Sequence, residues 1–258
     1  MMQISAHTQP MQKYIVVIPA RGGSKRLPRK NVLPLGGKPM ICHTVEYALS
    51  DFKPEDIYVS TDDAEIMQTV RPYGIHIIER PESLSGELVP TADVLQHVSV
   101  NVQSAGIIYD YMILLQCTNP LRPKEMLRDA MESLQQSGKK CLVGVSPSYR
   151  KFGKIEDNRF IPWNYRFGQR SQDMEPLYYE NGLVYITQRT LIDESKIIDN
   201  DPFPYIIDHP YAEIDIDTLE DFRYAEYVMK TDGHNLKDET YQCPSFMQVR
   251  TQNLSFGA

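Results

Sequence analysis

A glycine-containing loop near the N-terminus concentrates positive charge immediately after a predicted buried strand. The strand is the apolar run from Tyr14 to Ile18, and the loop (residues 20–31, here called the basic loop) contains Gly22 and Gly23. Glycine lets the backbone turn sharply and bring several N–H groups close to one anion. Five cations stand within ten residues of this loop: Arg21, Lys25, Arg26, Arg29 and Lys30. The combination suits a triphosphate, whose charge must be neutralised before a nucleophile can attack it.

Two acidic residues near the other end of the sequence predict a metal site. In an extended strand, residues two apart share a face, so Asp215 and Asp217 would present two carboxylates together while Ile214 and Ile216 enter the core. Alone, such a pair is commonly a solvated strand end or a helix cap. Mg²⁺ is favoured between repelling carboxylates because it combines few of them with phosphate oxygens and water. Together with the basic loop, the pair completes a nucleotide–metal site.

The overall composition favours one α/β domain. The chain has 258 residues and a formal net charge of -7, which argues against a nucleic-acid or anionic-membrane surface. The four cysteines are scattered without metal-ligand or redox spacing, and no apolar run reaches the length of a membrane span. We therefore expect a cytoplasmic protein with neither nucleic acid nor a membrane among its partners.

Strand and helix patterns alternate along most of the chain. Strands are predicted over residues 14–18, 57–60, 75–78, 111–116, 141–145 and 182–186. Helices are predicted over residues 40–49, from an N-cap at Thr61 or Asp62, over 91–102, from Pro123 to Gln136, and over 219–229. This alternation predicts a mostly parallel sheet with helices on both faces. Because ligands bind at the carboxyl ends of such strands, the loops after Ile18, Ser60 and Gln116 should face one crevice.

The alternation stops between Ser146 and Tyr178, a segment rich in aromatic and charged residues. We interpret residues 146–180 as an inserted arm that contributes to a subunit contact. The main domain is then residues 13–231, preceded by a loose leader and followed by a tail, residues 232–258, of unknown role.

Six motifs follow one another along the chain. They occupy residues 20–31, 59–62, 80–82, 115–122, 179–182 and 214–217. In this order they resemble the motifs of the acylneuraminate cytidylyltransferases, also called CMP-sialic acid synthetases. The resemblance implies a Rossmann-like, GT-A-like nucleotidyltransferase fold. It also implies that CMP passes from CTP to a nonulosonic acid with Mg²⁺, in a homodimer whose arm reaches the neighbour's site.

The resemblance also implies roles for individual residues. The nucleotide-binding positions are Arg21, Gly22, Ser24, Lys25, Lys30, Asn31 and Thr91, with the last two at the cytidine moiety. The sugar-binding positions are Gln116, Lys154 and Arg170. Asp215 and Asp217 match the metal ligands, and the catalytic positions are Arg21, Lys25 and Asp217.

Alternatives remain open at this point. Cys117 stands where the family commonly has proline, and the arm from Arg150 to Asp173 matches poorly, which leaves the sugar undetermined. The acid is a sialic-type acid or a related one: pseudaminate, legionaminate or 3-deoxy-manno-octulosonate. A metal-dependent glycosyltransferase usually carries its Asp-x-Asp pair in mid-chain, whereas this pair lies near the end. A non-catalytic nucleotide-binding homologue would be expected to lose the loop cations or the acidic pair, and both are present.

Overall fold

A seven-stranded sheet forms the centre of residues 12–235, the part of the chain that the computed structural model describes. The strands are β1 (Tyr14–Pro19), β2 (Pro34–Leu35), β3 (Lys38–Pro39), β4 (Ile57–Thr61), β5 (His76–Glu79), β6 (Tyr111–Leu114), β7 (Cys141–Ser148), β8 (Gly153–Glu156), β9 (Arg159–Pro162), β10 (Leu177–Gln188) and β11 (Phe203–Ile206). The sheet order is β11-β7-β10-β6-β1-β4-β5. Strand β10 pairs antiparallel with both neighbours, and the other pairings are parallel. The predicted, mostly parallel sheet is confirmed.

Helices cover both faces of this sheet. They are α1 (Met40–Leu49), α2 (Ala64–Val70), α3 (Thr91–Ser104), α4 (Met126–Ser137), α5 (Arg189–Asp193) and α6 (Leu219–Asn235). Successive side chains of β1 alternate between two cores: Val16 and Ile18 share one with α1, α2, α4 and α6, and Ile15 and Val17 share the other with α3 and α5. All four are fully buried, and each burial stabilises the fold by roughly 1.5–3 kcal/mol.

Two predicted helix starts are wrong. Helix α2 has Asp63 as its N-cap, rather than Thr61 or Asp62, because the Asp63 carboxylate accepts hydrogen bonds from the first-turn N–H groups of Glu65 and Ile66. Helix α4 begins at Met126 rather than at Pro123, since its N-cap Glu125 has left-handed backbone, with φ 69°. Tertiary contacts of the preceding residues, described below, override the helix-start signal of the proline.

Other boundaries shift by a few residues. Helix α1 lies where it was predicted, whereas α6 continues past the predicted domain boundary at residue 231 to Asn235. The predicted strand 111–116 ends at Leu114, which leaves Gln116 in the following loop. Residues 1–11 and 236–258, which include most of the predicted leader and tail, lie outside the described residues. Within residues 12–235, no helix combines the length and apolarity needed to cross a bilayer.

The segment between β7 and β10 contains a small hairpin of β8 and β9 outside the main sheet. Its turn residues Asp157 and Asn158 both have positive φ, the geometry of a tight two-residue hairpin turn. The hairpin and the loop after it expose large apolar side chains: Ile155, Phe160, Ile161, Trp163 and Phe167. This arm therefore lacks the covering that the sheet receives from its helices.

Candidate active site

A cavity of about 300 Å³ lies beyond the carboxyl ends of β1, β5 and β6. Arg21 and Asp217, from opposite ends of the chain, both line this first cavity, as do Ser24, Lys25, Lys30, Asn31, Thr91 and Gln116. The loops after β1 and β6 thus meet at one crevice, as predicted. The loop after β4 does not line this cavity; it contacts the basic loop instead.

The backbone of the basic loop rests on the turn between β4 and α2. The Gly22 N–H donates a hydrogen bond to Asp62 Oδ1 at 3.0 Å. A Cβ on Gly22 would overlap the Asp63 side chain, with Asp63 Cγ only 2.9 Å away. A Cβ on Gly23 would meet no atom of the described chain within 4 Å. Close approach therefore requires glycine at position 22, whereas position 23 has room for a side chain.

The cations of the basic loop divide into two groups. Lys25 pairs with Glu87 at 2.5 Å, and Arg26 and Lys30 pair with Asp217 at 2.5 and 2.7 Å, all at the wall of the first cavity. Arg29 instead has left-handed backbone and pairs with Asp63 and Glu65 of the α2 turn. Four of the five predicted cations, Arg21 included, thus line the cavity.

Asn31 and Arg80 form the buried side of the first cavity. Asn31 Nδ2 donates to the Arg21 carbonyl at 2.9 Å, and Asn31 Oδ1 has no hydrogen-bond partner within residues 12–235. Arg80 donates from Nε and Nη2 to the hydroxyl and carbonyl of Ser60. Burial lowers the pKa of Arg80, which nonetheless keeps its guanidinium charged at neutral pH. The cavity therefore has a buried cation in addition to those of the basic loop.

Two buried side chains fix the loop that carries Gln116. Arg122 donates to the carbonyls of Gln116 at 2.8 Å and Leu183 at 2.9 Å, and burial lowers the pKa of Arg122 to about 10. Asn119 Nδ2 donates to the carbonyls of Asn181 at 3.2 Å and Ile214 at 2.9 Å. The loop after β6 is thereby joined both to β10 and to the acidic segment.

The acidic segment has the predicted alternation but is not a strand of the sheet. Ile214 and Ile216 are buried, while Asp215 is exposed and Asp217 partly so. The segment is held by the Ile216 N–H, which donates to the Thr118 carbonyl at 2.8 Å, and by the contact of Asn119 with Ile214. The predicted strand is wrong because single tertiary hydrogen bonds, rather than a ladder, keep this backbone extended.

The two carboxylates of this segment border different cavities. Asp217 lines the first cavity, and Asp215 lines a second cavity of about 680 Å³ beneath the arm. Although Asp215 is exposed, protein atoms around its carboxyl group partly desolvate it and raise its pKa; the Asp217 carboxylate raises the pKa further, whereas a hydrogen bond from Thr118 lowers it. Aromatic side chains supply much of the second cavity: Tyr149, Phe152, Trp163, Tyr178 and Tyr179.

Two predicted sugar-binding residues lie apart from this site. In the described chain, Lys154 is exposed on β8, and Arg170 pairs with Asp173 at 2.7 Å on the arm. Neither lines the first or the second cavity. Their roles stay predictions. In the described chain, Gln116 lines the first cavity, whereas these two residues do not.

Comparison with known proteins identifies the family to which this chain belongs. The family model described as cytidylyltransferase matches residues 15–241 of this chain. This chain belongs to the cytidylyltransferase family. The match covers the sheet, the basic loop and the acidic segment. Every residue that lines the first cavity therefore lies within the matched range. It confirms the resemblance inferred from the six motifs.

Curated members of the cytidylyltransferase family are similar along most of this chain. A pseudaminic acid cytidylyltransferase of Campylobacter jejuni is 32% identical over 225 residues, covering 84% of this chain and 97% of the relative. A CMP-N,N'-diacetyllegionaminic acid synthase of Legionella pneumophila is 33% identical over 228 residues, with the same coverage. An N-acylneuraminate cytidylyltransferase of Streptococcus agalactiae is 32% identical over 223 residues, covering 81% of this chain and 52% of the relative.

Solved structures show the same fold at low sequence identity. A CMP:2-keto-3-deoxy-manno-octonic acid synthetase complexed with CTP superposes with a TM-score of 0.63 at 19% identity, covering 86% of this chain and all (100%) of that one. A 4-diphosphocytidyl-2C-methyl-D-erythritol synthase gives a TM-score of 0.61 at 13% identity, with the same coverage. The predicted nucleotidyltransferase fold is therefore confirmed.

Arg80 and Glu87 are cavity residues of this cytidylyltransferase to which the sequence reasoning assigned no role. Arg80 belongs to one of the six motifs and comes directly after β5. Applying the strand-end rule to β5 as well as to β1, β4 and β6 would have found it. Glu87 lies in an irregular loop with no motif, and no sequence signal identifies it.

Proposed function

We propose that this chain transfers CMP from CTP to the anomeric hydroxyl of a nonulosonic acid and releases pyrophosphate. The observation that carries the proposal is the meeting of Arg21, Lys25 and Lys30 with Asp217 in one cavity. Relatives named for pseudaminic, legionaminic and N-acylneuraminic acids support this class of acceptor. The two relatives that this chain spans almost end to end are those named for pseudaminic and legionaminic acids, which are therefore the first acids to test.

In the proposed reaction the anomeric oxygen attacks the α-phosphorus of CTP. The bond between the α-phosphorus and the bridging oxygen of the β-phosphate breaks, the hydroxyl proton is lost, and pyrophosphate leaves. The protein forms no covalent bond, so positioning and electrostatic stabilisation carry the catalysis. Arg21 and Lys25 neutralise the charge that develops on the departing pyrophosphate, and Lys30 holds the phosphate chain against the rim of the first cavity.

The substrate specificity for cytidine is assigned to the buried side of the first cavity. Asn31 presents a fixed amide there, since its Nδ2 is held by the Arg21 carbonyl, and Thr91 begins α3 at the same wall. A buried amide oxygen without a partner favours a ligand that donates a hydrogen bond, because an unsatisfied buried acceptor costs about 1–3 kcal/mol. The nucleoside hydroxyls and the cytosine amino group are such donors.

The donor chemistry of Asp215 and Asp217 fits Mg²⁺. Both present carboxylate oxygens, the donor atoms that Mg²⁺ prefers; desolvation raises the pKa of Asp215 first and the Asp217 carboxylate raises it further, and a shared cation would offset both effects. Within residues 12–235 no cluster of three or more His, Cys, Asp or Glu side chains forms a ready metal cage. Asp215 and Asp217 would therefore hold the metal together with oxygen atoms of the bound substrate. When bound, the metal supplies positive charge at the α-phosphate and lowers the pKa of the attacking hydroxyl.

The acceptor is assigned to the second cavity, on the far side of the acidic segment from the nucleotide. Asp217 lines the first cavity and Asp215 the second, which supports a metal held by both residues where the hydroxyl and the α-phosphate would meet. Gln116 lines the first cavity and is the proposed contact to the acid from the sheet.

The proposed enzyme is a homodimer formed through the arm. Ile155 and Phe167 are 79% and 72% exposed in one protomer, and Trp163 is 67% exposed. A second copy that covers these side chains removes apolar surface from water, and it brings Lys154 and Arg170 of each arm toward the partner's second cavity. The two cations then bind the acid's carboxylate in trans.

A panel of acids tests the proposed reaction. The chain is incubated with CTP, Mg²⁺ and either pseudaminate, N,N'-diacetyllegionaminate, N-acetylneuraminate or 3-deoxy-manno-octulosonate. Pyrophosphate release is measured, and the CMP-sugar is identified by mass spectrometry. We expect turnover with at least one nine-carbon acid. Tight CTP binding by calorimetry without product from any acid would instead indicate a non-catalytic nucleotide-binding homologue.

A further inference from the structure

Both carboxylate oxygens of Asp217 are occupied by cations of the basic loop. Lys30 Nζ lies 2.7 Å from Oδ1, and Arg26 Nη2 lies 2.5 Å from Oδ2. The Lys30 side chain is only 11% exposed and that of Asp217 31%, so water and salt screen this pair less than an ordinary surface ion pair. The two contacts join the basic loop to the acidic segment at the wall of the first cavity.

This arrangement conflicts with metal binding at Asp217 in the absence of nucleotide. A divalent cation on the same two oxygens meets two positive side chains, and like charges at such short range repel it. Arg26 and Lys30 must therefore move before Asp217 becomes a good ligand. The triphosphate of CTP, bound in the same cavity, is the anion that attracts them away.

From these contacts we propose that Arg26 and Lys30 keep Asp217 from binding metal until the nucleotide arrives. The inference rests on the proposed function, since it takes Asp217 as a metal ligand and a triphosphate as the occupant of the first cavity. Nucleotide binding then completes the metal site, and Arg26, which the resemblance left without a role, becomes a positioning residue for Asp217. The coupling is reciprocal: whatever frees Asp217 for metal also frees the two cations for phosphate.

Arg29 provides a matched control within the same loop. It carries the same charge three residues after Arg26, but its guanidinium pairs with Asp63 and Glu65 behind the loop rather than with Asp217. Replacing either arginine by glutamine changes the net charge equally. Only the change at Arg26 releases a carboxylate oxygen of Asp217.

The first experiment measures Mn²⁺ binding to the full chain without nucleotide, by electron paramagnetic resonance of the free ion. We expect Arg26→Gln to bind Mn²⁺ about threefold more tightly than the wild type at physiological salt, and Arg29→Gln to bind it nearly unchanged. Adding Asp217→Asn to Arg26→Gln should abolish this gain. Thermal melts confirm that each variant is folded.

The outcomes separate this inference from the proposed function. Equal Mn²⁺ affinities for Arg26→Gln and Arg29→Gln, or no measurable binding by Arg26→Gln, overturn the inference and leave the transfer reaction standing. Mn²⁺ binding by Arg26→Gln/Asp217→Asn that equals the binding by Arg26→Gln alone removes the metal assignment itself and the inference with it. Loss of CMP transfer with every acid, with the Mn²⁺ results as expected, overturns the proposed function alone.

The reciprocal experiment measures CTP binding by calorimetry in excess EDTA. Asp217→Asn releases Arg26 and Lys30, so metal-free CTP should bind about threefold more tightly than to the wild type. Glu65→Gln is the control, because it removes a carboxylate partner of Arg29 instead. Equal effects of the two variants would show that only net charge matters, which contradicts the coupling.

Discussion

The first cavity and the arm differ in how much of their structure one chain provides. Around the first cavity, cations, carboxylates and backbone groups from distant segments are paired with one another above a buried sheet. The arm contains a two-stranded hairpin with exposed apolar side chains, and its predicted sugar-binding residues Lys154 and Arg170 line neither the first nor the second cavity. The proposed nucleotide site is thus formed by the packing of segments of one chain, whereas the acid contacts proposed for the arm require a second copy.

The largest expected effect is at Asp217, the proposed metal ligand of the first cavity. Asp217→Ala should reduce kcat by roughly 100-fold or more, because it removes charge stabilisation that acts only in the transition state. Pyrophosphate release at saturating CTP, Mg²⁺ and acid measures it. A variant that keeps more than half of the wild-type rate would remove Asp217 from the metal assignment.

The next largest expected effect is on the free energy of unfolding, which should respond differently to substitutions beside the first cavity and on the arm. Arg122→Ala leaves the buried carbonyls of Gln116 and Leu183 without their donor, so the free energy of unfolding should fall by about 3 kcal/mol. Arg170→Ala on the arm breaks only an exposed pair with Asp173 and should change it by less than about 0.5 kcal/mol. Urea denaturation followed by fluorescence measures both, and similar losses would contradict the comparison.

The two glycines of the basic loop form a matched test of its geometry. Gly22→Ala forces the loop away from Asp63, and CTP affinity should fall about tenfold because the backbone N–H groups and Arg21 are displaced. Gly23→Ala should bind CTP nearly as the wild type, since its new methyl group has open space. Calorimetric titration with CTP measures both variants. Equal losses would show that flexibility, rather than close approach, is what this loop requires.

Self-association tests the arm directly. Ile155→Asp places a charge in the proposed dimer contact and should raise the dimer dissociation constant about tenfold, with little change in CTP binding. Ile108→Asp, in the loop between α3 and β6, is the control because Ile108 and Ile155 are both 79% exposed. Sedimentation velocity over a concentration series measures the effect. Equal behaviour of the two variants would place the contact elsewhere.

The smallest expected effect concerns Cys117, at the wall of the first cavity. Burial raises the pKa of its thiol to about 12, so the reactive thiolate is scarcely populated at neutral pH. Cys117 should resist iodoacetamide at pH 8 in the native protein and react only after unfolding, as peptide mass spectrometry can show. Rapid native labelling would mean that this wall opens to solvent.

The sheet and the first cavity could be predicted because their signals are local. The run from Tyr14 to Ile18 is apolar on both faces, as expected for a strand covered by helices on both sides, and the cations that follow it are adjacent in sequence. The order of the motifs then predicted that Asp217 lies at the same site. Apart from the position of Asp217, each of these inferences depends on residues within a few positions of one another or on the strand-end rule.

The remaining features depend on contacts between distant residues. The start of α4 follows from Arg122 reaching Leu183, and the extended acidic segment follows from Thr118 and Asn119. No local sequence pattern predicts these contacts. The pairing of Asp217 with Arg26 and Lys30 was likewise unforeseen, because charge spacing shows which ions are present but not which ones meet.

One property of the insertion has an experimental consequence. Its two ends leave and re-enter the sheet on hydrogen-bonded neighbours, with Leu177 opposite Ser148 and Tyr178 opposite Pro147. A replacement segment can therefore start and finish at the same two points, on strands that are already paired. If the proposed function holds, exchanging residues 149–176 for the corresponding segment of a relative should alter acceptor preference and leave CTP binding unchanged.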